Sequence, residues 1–135
     1  MKVLIDTNVI LDVLCNRKDF VENSAKILKL CEVKKITGYV SALSIPNIVY
    51  IMRKELDEEK IREVIEKLSL VFDIVDLKGD DLKKAALLNF TDYEDAVQSR
   101  QATRVKADYI VTRNIKDYKY SKVMAIKPDE LLERI

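Results

Sequence analysis

The sequence predicts an α/β fold built on a parallel, doubly wound sheet. Short apolar, β-branched runs alternate with amphipathic stretches along the whole chain, which is typical of strands joined by crossover helices. The first run, Val3-Leu4-Ile5, is apolar without interruption, as expected of a strand that is buried on both faces. Only two glycines and two prolines occur in 135 residues. We therefore expect one domain over residues 1–135, without a linker.

The first half of the chain contains two predicted strands and four predicted helices. Apolar residues at helical spacing indicate a helix over 19–35, and the pairs Glu58–Arg62 and Glu63–Lys67 support one over 57–68. In chain order, the predicted elements are a strand at 2–5, helices at 7–15 and 19–35, a strand at 35–41, and helices at 42–56 and 57–68.

The second half supplies three more strands and three more helices. Tyr109-Ile110-Val111-Thr112 is a short β-prone run, and Pro128 stands where proline is favoured, in the first turn of a helix. In chain order, we predict a strand at 70–77, helices at 80–88 and 92–106, strands at 109–112 and 123–126, and a closing helix at 128–134.

The charge balance and the absence of histidine exclude several functions. The 24 basic and 23 acidic residues give a net charge of +1, so the chain lacks the basic excess of a dedicated duplex DNA binder. Without histidine there is no Ser-His-Asp triad and no histidine-bound zinc. Proton transfer near neutral pH would then need a metal-activated water, a carboxylate of shifted pKa or a lysine.

Cysteine usage and hydropathy favour a soluble cytoplasmic protein. Cys15 and Cys31 lie in apolar helical patterns, and we expect both to be buried, reduced thiols. Asp6 and Asp12 interrupt any signal-peptide-like apolar stretch at the start of the chain. The longest uncharged stretch, residues 36–52, contains 17 residues, fewer than the ~20 that a spanning helix needs.

Polar residues gather in four segments that end strands or begin helices. Because parallel strands end at one edge of their sheet, these segments can converge there. Three carboxylates at one edge repel unless a cation lies among them, and oxygen ligands without histidine or thiolate favour Mg²⁺ or Mn²⁺. The segments are Asp6-Thr7-Asn8, residues 41–47, Thr91-Asp92-Tyr93-Glu94-Asp95-Ala96 and the run from Thr112 to Tyr118.

Most of these residues also have a structural explanation. Asp6 or Thr7 could be a helix N-cap, and Asn47 could satisfy a backbone group. Thr91-x-x-Glu94 has the spacing of a capping box, which predicts a structural role for Glu94. Asp92 could complement a helix dipole, and Asn114 and Asp117 could form a turn. Asp95 is poorly explained as a cap, because it lies beside Ala96 and Val97 on the apolar side.

The combination resembles the PIN-domain ribonucleases, and within them the VapC-like toxins of toxin–antitoxin pairs. Three pieces carry the resemblance, which extends over essentially the whole chain: the run from Val3 to Asp12, Glu94-Asp95-Ala96, and Ile110-Val111-Thr112-Arg113-Asn114 with Asp117-Tyr118. It implies a three-layer sandwich with a five-stranded parallel sheet flanked by helices. It also implies Mg²⁺- or Mn²⁺-dependent cleavage of RNA, a small antitoxin partner and a homodimer.

The resemblance assigns roles to individual residues. Asp6 and Asp95 match metal-binding aspartates of the family, and Asp117 is the carboxylate nearest to Asn114, which occupies a usually acidic position. We accordingly predict catalytic and metal-binding roles for Asp6, Asp95 and Asp117, further metal contacts from Asp92 and Asn114, supporting roles for Thr7, Asn8, Asn47 and Thr112, and nucleic-acid contacts from Arg100, Arg104, Arg113 and Lys116.

One departure from the family pattern leaves other functions open. Asn47 stands where the family often has a glutamate, so the site loses a negative charge. A catalytically weak nucleic-acid-binding module is therefore one alternative. The other is an aspartate-nucleophile phosphatase, because Asp6 follows the first strand, although Asn8 stands where such enzymes usually carry a second acid.

Overall fold

A computed structural model describes residues 1–135 and contains five strands, seven α-helices and one 3₁₀ helix. The elements are β1 (Lys2–Ile5), α1 (Thr7–Leu14), α2 (Val21–Glu32), β2 (Thr37–Ser41), α3 (Ser44–Met52), α4 (Glu58–Val71), β3 (Asp73–Val75), α5 (Gly79–Ala85), α6 (Tyr93–Arg104), β4 (Tyr109–Val111), the 3₁₀ helix η1 (Ile115–Tyr118), β5 (Met124–Ile126) and α7 (Pro128–Glu133).

The five strands form one sheet in the order β3-β2-β1-β4-β5, and every neighbouring pair is parallel. Leu4 of β1 is paired with Tyr39 on one side and with Ile110 on the other. The parallel five-stranded α/β architecture predicted from the sequence is therefore confirmed. From β1 the chain first adds β2 and β3 on one side of the sheet and then β4 and β5 on the other. Sheets of this kind bind ligands at the carboxyl ends of the strands where this change of direction occurs.

Helices cover both faces of the sheet, so the strands are apolar on both sides. Val3 and Ile5 point into the larger core, which contains residues of α1, α2, α3, α4 and α7. Leu4 points to the opposite face and packs with Ala102 of α6 and Tyr118 of η1. This alternation explains why Val3, Leu4 and Ile5, which follow the exposed Lys2, are all apolar and buried.

A close approach in the larger core depends on Gly38 of β2. A Cβ atom at this position would lie 2.6 Å from Cys31 Sγ and 2.8 Å from Phe72 Cδ1. Both distances are shorter than van der Waals contact, so the contact between α2, β2 and the end of α4 needs a residue without a side chain. Cys31 is buried, as predicted, whereas Cys15 is only half-buried; both are free thiols.

Two predicted elements have different limits in the structure. The strand predicted at 70–77 is only Asp73–Val75, because α4 continues through Val71. The helical register buries Leu68 and leaves Leu70 72% exposed, so this apolar run serves the end of a helix. The helix predicted at 42–56 is limited to Ser44–Met52. None of the helices has the length and apolar character needed to span a membrane.

Candidate metal centre

A cavity of about 310 Å³ opens at the carboxyl edge of the sheet. Acidic and amide side chains dominate its wall, and neither lysine nor arginine lines it. The carboxylates are Asp6, Asp92, Glu94, Asp95 and Asp117; the other lining residues are Thr7, Asn8, Asn47 and Asn114 with apolar Leu11, Tyr50 and Ile51. The three predicted catalytic aspartates therefore line the same cavity.

Asp6 lies at the bottom of the cavity and is only 4% exposed. It occupies the N-cap position of α1, but its side chain makes no capping hydrogen bond. Instead, Oδ2 accepts a hydrogen bond of 2.8 Å from Thr112 Oγ1, and Oδ1 accepts one of 3.3 Å from Gln98 Nε2. Asp6 follows β1 and Thr112 follows β4. The carboxylate is therefore held by a hydrogen bond between the ends of two neighbouring strands.

Tyr118 connects Asp6 to Asp95 through a short hydrogen-bond chain. The Tyr118 hydroxyl donates to Asp95 Oδ1 at 3.1 Å and accepts from Gln98 Nε2 at 3.3 Å. The same Gln98 amide reaches Asp6, and both Gln98 and Tyr118 are buried. Neutral side chains thus hold the carboxylates of Asp6 and Asp95 in position. Because these side chains are neutral, they do not reduce the negative charge of the cavity.

Glu94 corrects one prediction from the sequence. The capping-box interpretation was wrong, because the N-cap of α6 is Asp92, whose side chain accepts from the Asp95 N–H at 3.1 Å. Glu94 lines the cavity, where its Oε1 accepts from Asn47 Nδ2 at 3.1 Å and from Thr7 Oγ1 at 3.3 Å. The carboxylate missing at position 47 is therefore present at position 94, held by the asparagine itself.

Burial and mutual repulsion shift the acid–base properties of the cluster. Burial raises the pKa of Asp95 to about 7, and the negative charges of Asp6 and Asp92 contribute in the same direction. Burial also raises the pKa values of Asp6 and Glu94, against the hydrogen bonds that each accepts. Because these carboxyl groups are difficult to ionise, a bound cation would stabilise their charged forms strongly.

The rim of the cavity follows β4. Asn114 precedes η1, its N–H donates to Thr112 Oγ1 at 3.1 Å, and Asp117 belongs to η1. Both side chains are exposed. Asp12 of α1 is fully buried, and its carboxylate oxygens lie 2.7 Å from Arg113 Nε and 3.1 Å from Arg17 Nη1. This ion pair joins α1 to the segment that carries Asn114.

The predicted nucleic-acid contacts are placed less favourably. Arg104 is 21% exposed and forms ion pairs with Asp81 at 2.8 Å and Asp76 at 2.9 Å. Arg100 lies 3.9 Å from both Asp80 and Asp81. These two arginines pair with acidic residues of α5 and of the segment before it, so the structure assigns them to the contact between α5 and α6. Lys116 is exposed beside the cavity.

The side chains of the acidic cavity fit a hard divalent cation that is bound by few protein ligands. No group of three or more acidic or thiol side chains is close enough to hold an ion, so the predicted ligand set of Asp6, Asp95 and Asp117 does not form a closed cage. Mg²⁺ is ordinarily held by one or two carboxylates and keeps several waters. Asp6 and Asp95, held by Gln98 and Tyr118, fit that arrangement, and neither lysine nor arginine lines the wall around them.

A family comparison identifies the class of this protein. The sequence model of the PIN domain matches residues 2–116, so the chain belongs to the PIN-domain family. By sequence alone, no curated protein matches it significantly.

Solved structures of low sequence identity share the fold. One from Rickettsia felis, VapBC2 bound to a promoter DNA fragment, has a TM-score of 0.73 at 17% identity, over 94% of this chain and 98% of that chain. FitAcB from Neisseria gonorrhoeae gives 0.70 at 20% identity, over 93% and 97%. A toxin–antitoxin complex from Klebsiella pneumoniae gives 0.70 at 18%, over 93% and 97%.

Sequence reasoning gave two supporting residues no role in the metal site, although the resemblance included Asp117-Tyr118. Gln98 and Tyr118 hold Asp6 and Asp95, and neither was assigned to the site. Gln98 carried a usable signal, since it lies one helical turn after Asp95 and is a polar residue among the apolar positions of α6. Tyr118 carried none beyond its position next to Asp117.

Proposed function

We propose that this protein is a Mg²⁺- or Mn²⁺-dependent endoribonuclease and the toxin of a type II toxin–antitoxin pair. The observation that carries the proposal is a cavity lined by five carboxylates and no cationic side chain, at the topological switch point of the sheet. Membership of the PIN-domain family supports the same reaction class. In this proposal Asp6, Asp95 and Asp117 carry catalysis, with Glu94 as an additional carboxylate.

The chain's own residues would hold the cation and keep its ligands fixed. When bound, a divalent cation would neutralise the cavity toward a phosphodiester and lower the pKa of water for attack on phosphorus. Thr112 and Gln98 hold Asp6, and Tyr118 holds Asp95. Asp92 and Asn114 lie on the same wall and would contact the ion directly or through water.

The phosphatase alternative is disfavoured by the environment of Asp6. A nucleophilic carboxylate must reach the phosphorus atom of its substrate. Asp6 is 4% exposed and is held by Gln98 and Thr112, so little of this side chain is open to a phosphoryl group. A cation is smaller and can still use a free lone pair of either oxygen, because a carboxylate has about four.

The alternative of an inactive binding module loses its main support. It depended on the neutral side chains of Asn47 and Asn114. Glu94 supplies a carboxylate that Asn47 itself hydrogen-bonds, and Asp117 lines the same cavity as Asn114. The raised pKa values of Asp6, Glu94 and Asp95 support a site built for a positive charge, because a site without one would gain stability by losing these acids.

The proposal includes a small antitoxin that covers the cavity and a homodimer of the toxin. A toxin–antitoxin complex is among the structures of similar fold. Tyr50 and Ile51 line the acidic cavity and are 60% and 44% exposed. Apolar and acidic surface side by side would suit a partner segment that is both apolar and basic.

The first test measures cleavage of single-stranded RNA by the purified protein with Mg²⁺, Mn²⁺ or EDTA. We expect cleavage only with the metal. Asp95→Asn should lower kcat/KM by at least about a hundredfold, the upper end of the loss typical of residues that merely support metal ligands. The Asn side chain keeps an oxygen to accept the Tyr118 hydrogen bond, so the fold should survive.

Asp80→Asn is the matched control, since it removes one negative charge from an exposed residue outside the cavity. Asp80→Asn should leave kcat/KM within twofold of the wild-type value. Since a tenfold change corresponds to ~1.4 kcal/mol of activation free energy, a twofold change is small. Metal-independent cleavage, or full activity of pure Asp95→Asn, would contradict the proposal. Calorimetric titration with Mn²⁺ separates loss of binding from loss of chemistry.

A further inference from the structure

A second cavity, which we call the side pocket, lies beside the start of α2 and encloses about 270 Å³. Its walls include Phe20, Asn23 and Ser24 from α2 and its N-cap, together with Lys127 and Pro128 at the start of α7. None of these residues belongs to the acidic cavity. The side pocket is therefore separate from the candidate metal centre.

The polar lining of the side pocket contains an unsatisfied group. Ser24 is 1% exposed, and its Oγ has no hydrogen-bond partner. A buried hydroxyl without a partner is costly, and a group bound from outside can supply the missing hydrogen bond. The neighbouring Asn23 side chain is exposed and offers both donor and acceptor atoms. The pocket is thus supplied with hydrogen-bonding groups that the chain itself does not use.

A rigid planar surface forms one side of the side pocket. The guanidinium carbon of Arg113 lies 4.0 Å from the centroid of the Phe20 ring. Arg113 is also held by the buried carboxylate of Asp12 at 2.7 Å. The stacked pair is therefore fixed before any ligand arrives, and Phe20 remains 41% exposed. Aromatic rings and guanidinium planes are the surfaces on which unpaired nucleobases stack.

The charges of the side pocket favour an uncharged ligand. Arg113 and Lys127 are balanced by Asp19 and Asp129, which also line the pocket. A phosphate would be repelled by the two carboxylates as much as it is attracted by the two cations. A planar group that carries donors and acceptors but no net charge suits the wall better.

A groove joins the side pocket to the acidic cavity. Its lining shares Arg113 and Lys127 with the side pocket, shares Asn114 and Asp117 with the acidic cavity, and adds Lys116. The two lysines are exposed and stand where the backbone of a strand leaving the acidic cavity would pass. Cationic side chains between two binding sites are the expected contacts of RNA phosphates.

We propose that the side pocket binds one unpaired base of the RNA substrate, next to the cleavage site, and sets a base preference. This inference rests on the ribonuclease function proposed above. The base stacks on the Phe20–Arg113 pair, Asn23 and Ser24 contact its edge, and Lys116 and Lys127 contact the phosphates that lead to the acidic cavity. The charges of the side pocket balance, whereas the groove that joins it to the acidic cavity is basic.

The test compares cleavage of short single-stranded RNAs that differ in one base near the cut. Phe20→Ala should raise KM about tenfold, the effect of losing one stacked base. Its kcat should stay near the wild-type value, because the stacking contact is present in both the enzyme–substrate complex and the transition state. Asn23→Ala should flatten the preference among the four bases. The metal dependence of both variants should remain that of wild type.

Tyr120→Ala is the matched control, because Tyr120 is an exposed aromatic residue with a cation, Lys119, 5.0 Å above its ring, and lies outside the side pocket. We expect it to leave KM unchanged. If wild type cleaves RNA and Phe20→Ala matches it in KM and base preference, the side pocket does not bind a base and serves another ligand, such as a protein side chain. If wild type cleaves no RNA, the ribonuclease proposal itself fails.

Discussion

At the scale of single residues, the acidic cavity is organised by neutral hydrogen-bond donors. Thr112 and Gln98 hold Asp6, Tyr118 holds Asp95, and Asn47 holds Glu94. Lysine or arginine in these places would also fix the carboxylates, but it would cancel the charge that a cation needs. The use of hydroxyl and amide groups therefore keeps the site both ordered and negative.

Tyr118 allows a direct test of this ordering. Tyr118→Phe removes the hydroxyl that joins Asp95 to Gln98 and keeps the packed ring, which contacts Phe90 edge-on at 6.2 Å. We expect RNA cleavage to fall at least about tenfold, as for other groups that support metal ligands. The loss should appear with a weaker affinity for Mn²⁺, measured by calorimetry. Unchanged cleavage and affinity would assign Tyr118 to packing alone, and Tyr120→Phe controls for loss of an exposed hydroxyl.

Single residues also mark the limit of what the sequence could predict. Thr91-x-x-Glu94 satisfies the capping-box spacing, but Asp92 takes the N-cap and directs Glu94 toward Asn47. Arg104 has the spacing of a basic helix face, yet its partners Asp76 and Asp81 lie more than twenty residues away. Both errors have one cause: contacts distant in sequence decided between two locally equivalent patterns.

At the scale of elements, the strands and helices were predictable because burial on both faces leaves long apolar runs between polar turns. The order of alternating strands and helices gave the parallel sheet, and Asp6 and Asp95 were placed correctly at the carboxyl edge for the same reason. The end of α4 was not predictable, since Leu70 and Val71 suit a strand as well as a helix. Only their packing distinguishes the two.

The position of α6, which carries Glu94 and Asp95, depends on its contact with α5. Asp81 of α5 is 1% exposed and accepts hydrogen bonds from Arg104 Nε at 3.1 Å and Nη2 at 2.8 Å. Although burial opposes its ionisation, the bonds from Arg104 and from the Lys78 N–H hold the pKa of Asp81 below its ordinary value. The ionised form therefore stabilises the folded chain.

Asp81→Asn should consequently lower the free energy of unfolding by about 2 kcal/mol at neutral pH, the value of a hydrogen-bonded charged pair. Because the pKa is lower in the folded state, this contribution is complete above the unfolded value of about 4 and disappears as the pH falls through the folded value. Urea unfolding at pH 7 and near pH 3 measures the difference between variant and wild type. A difference that is the same at both values would contradict the argument, and Asp80→Asn, at an exposed site, supplies the control.

At the scale of the whole molecule, a nearly neutral chain concentrates negative charge at one edge. The net charge is +1, yet five carboxylates and no basic residue line one cavity. In the metal-free protein this arrangement costs folding free energy, because like charges lie together and Asp6, Glu94 and Asp95 are buried or half-buried. Site residues that reduce stability in isolation are expected where a ligand supplies the compensating charge.

Asp95→Asn therefore has opposite effects on stability with and without metal. In EDTA at pH 8, the substitution removes a half-buried negative charge that burial and Asp6 disfavour, so the Tm should rise by a few degrees above wild type. With saturating Mn²⁺, wild type should gain stability in proportion to RT ln(1 + [L]/Kd), whereas the variant gains little, and the order of the two Tm values should reverse. Calorimetric scans of both proteins under both conditions measure this crossing. A lower Tm for Asp95→Asn than for wild type in EDTA would mean that the Asp95 carboxylate stabilises the fold. It would contradict the argument that this carboxylate lowers the stability of the metal-free protein.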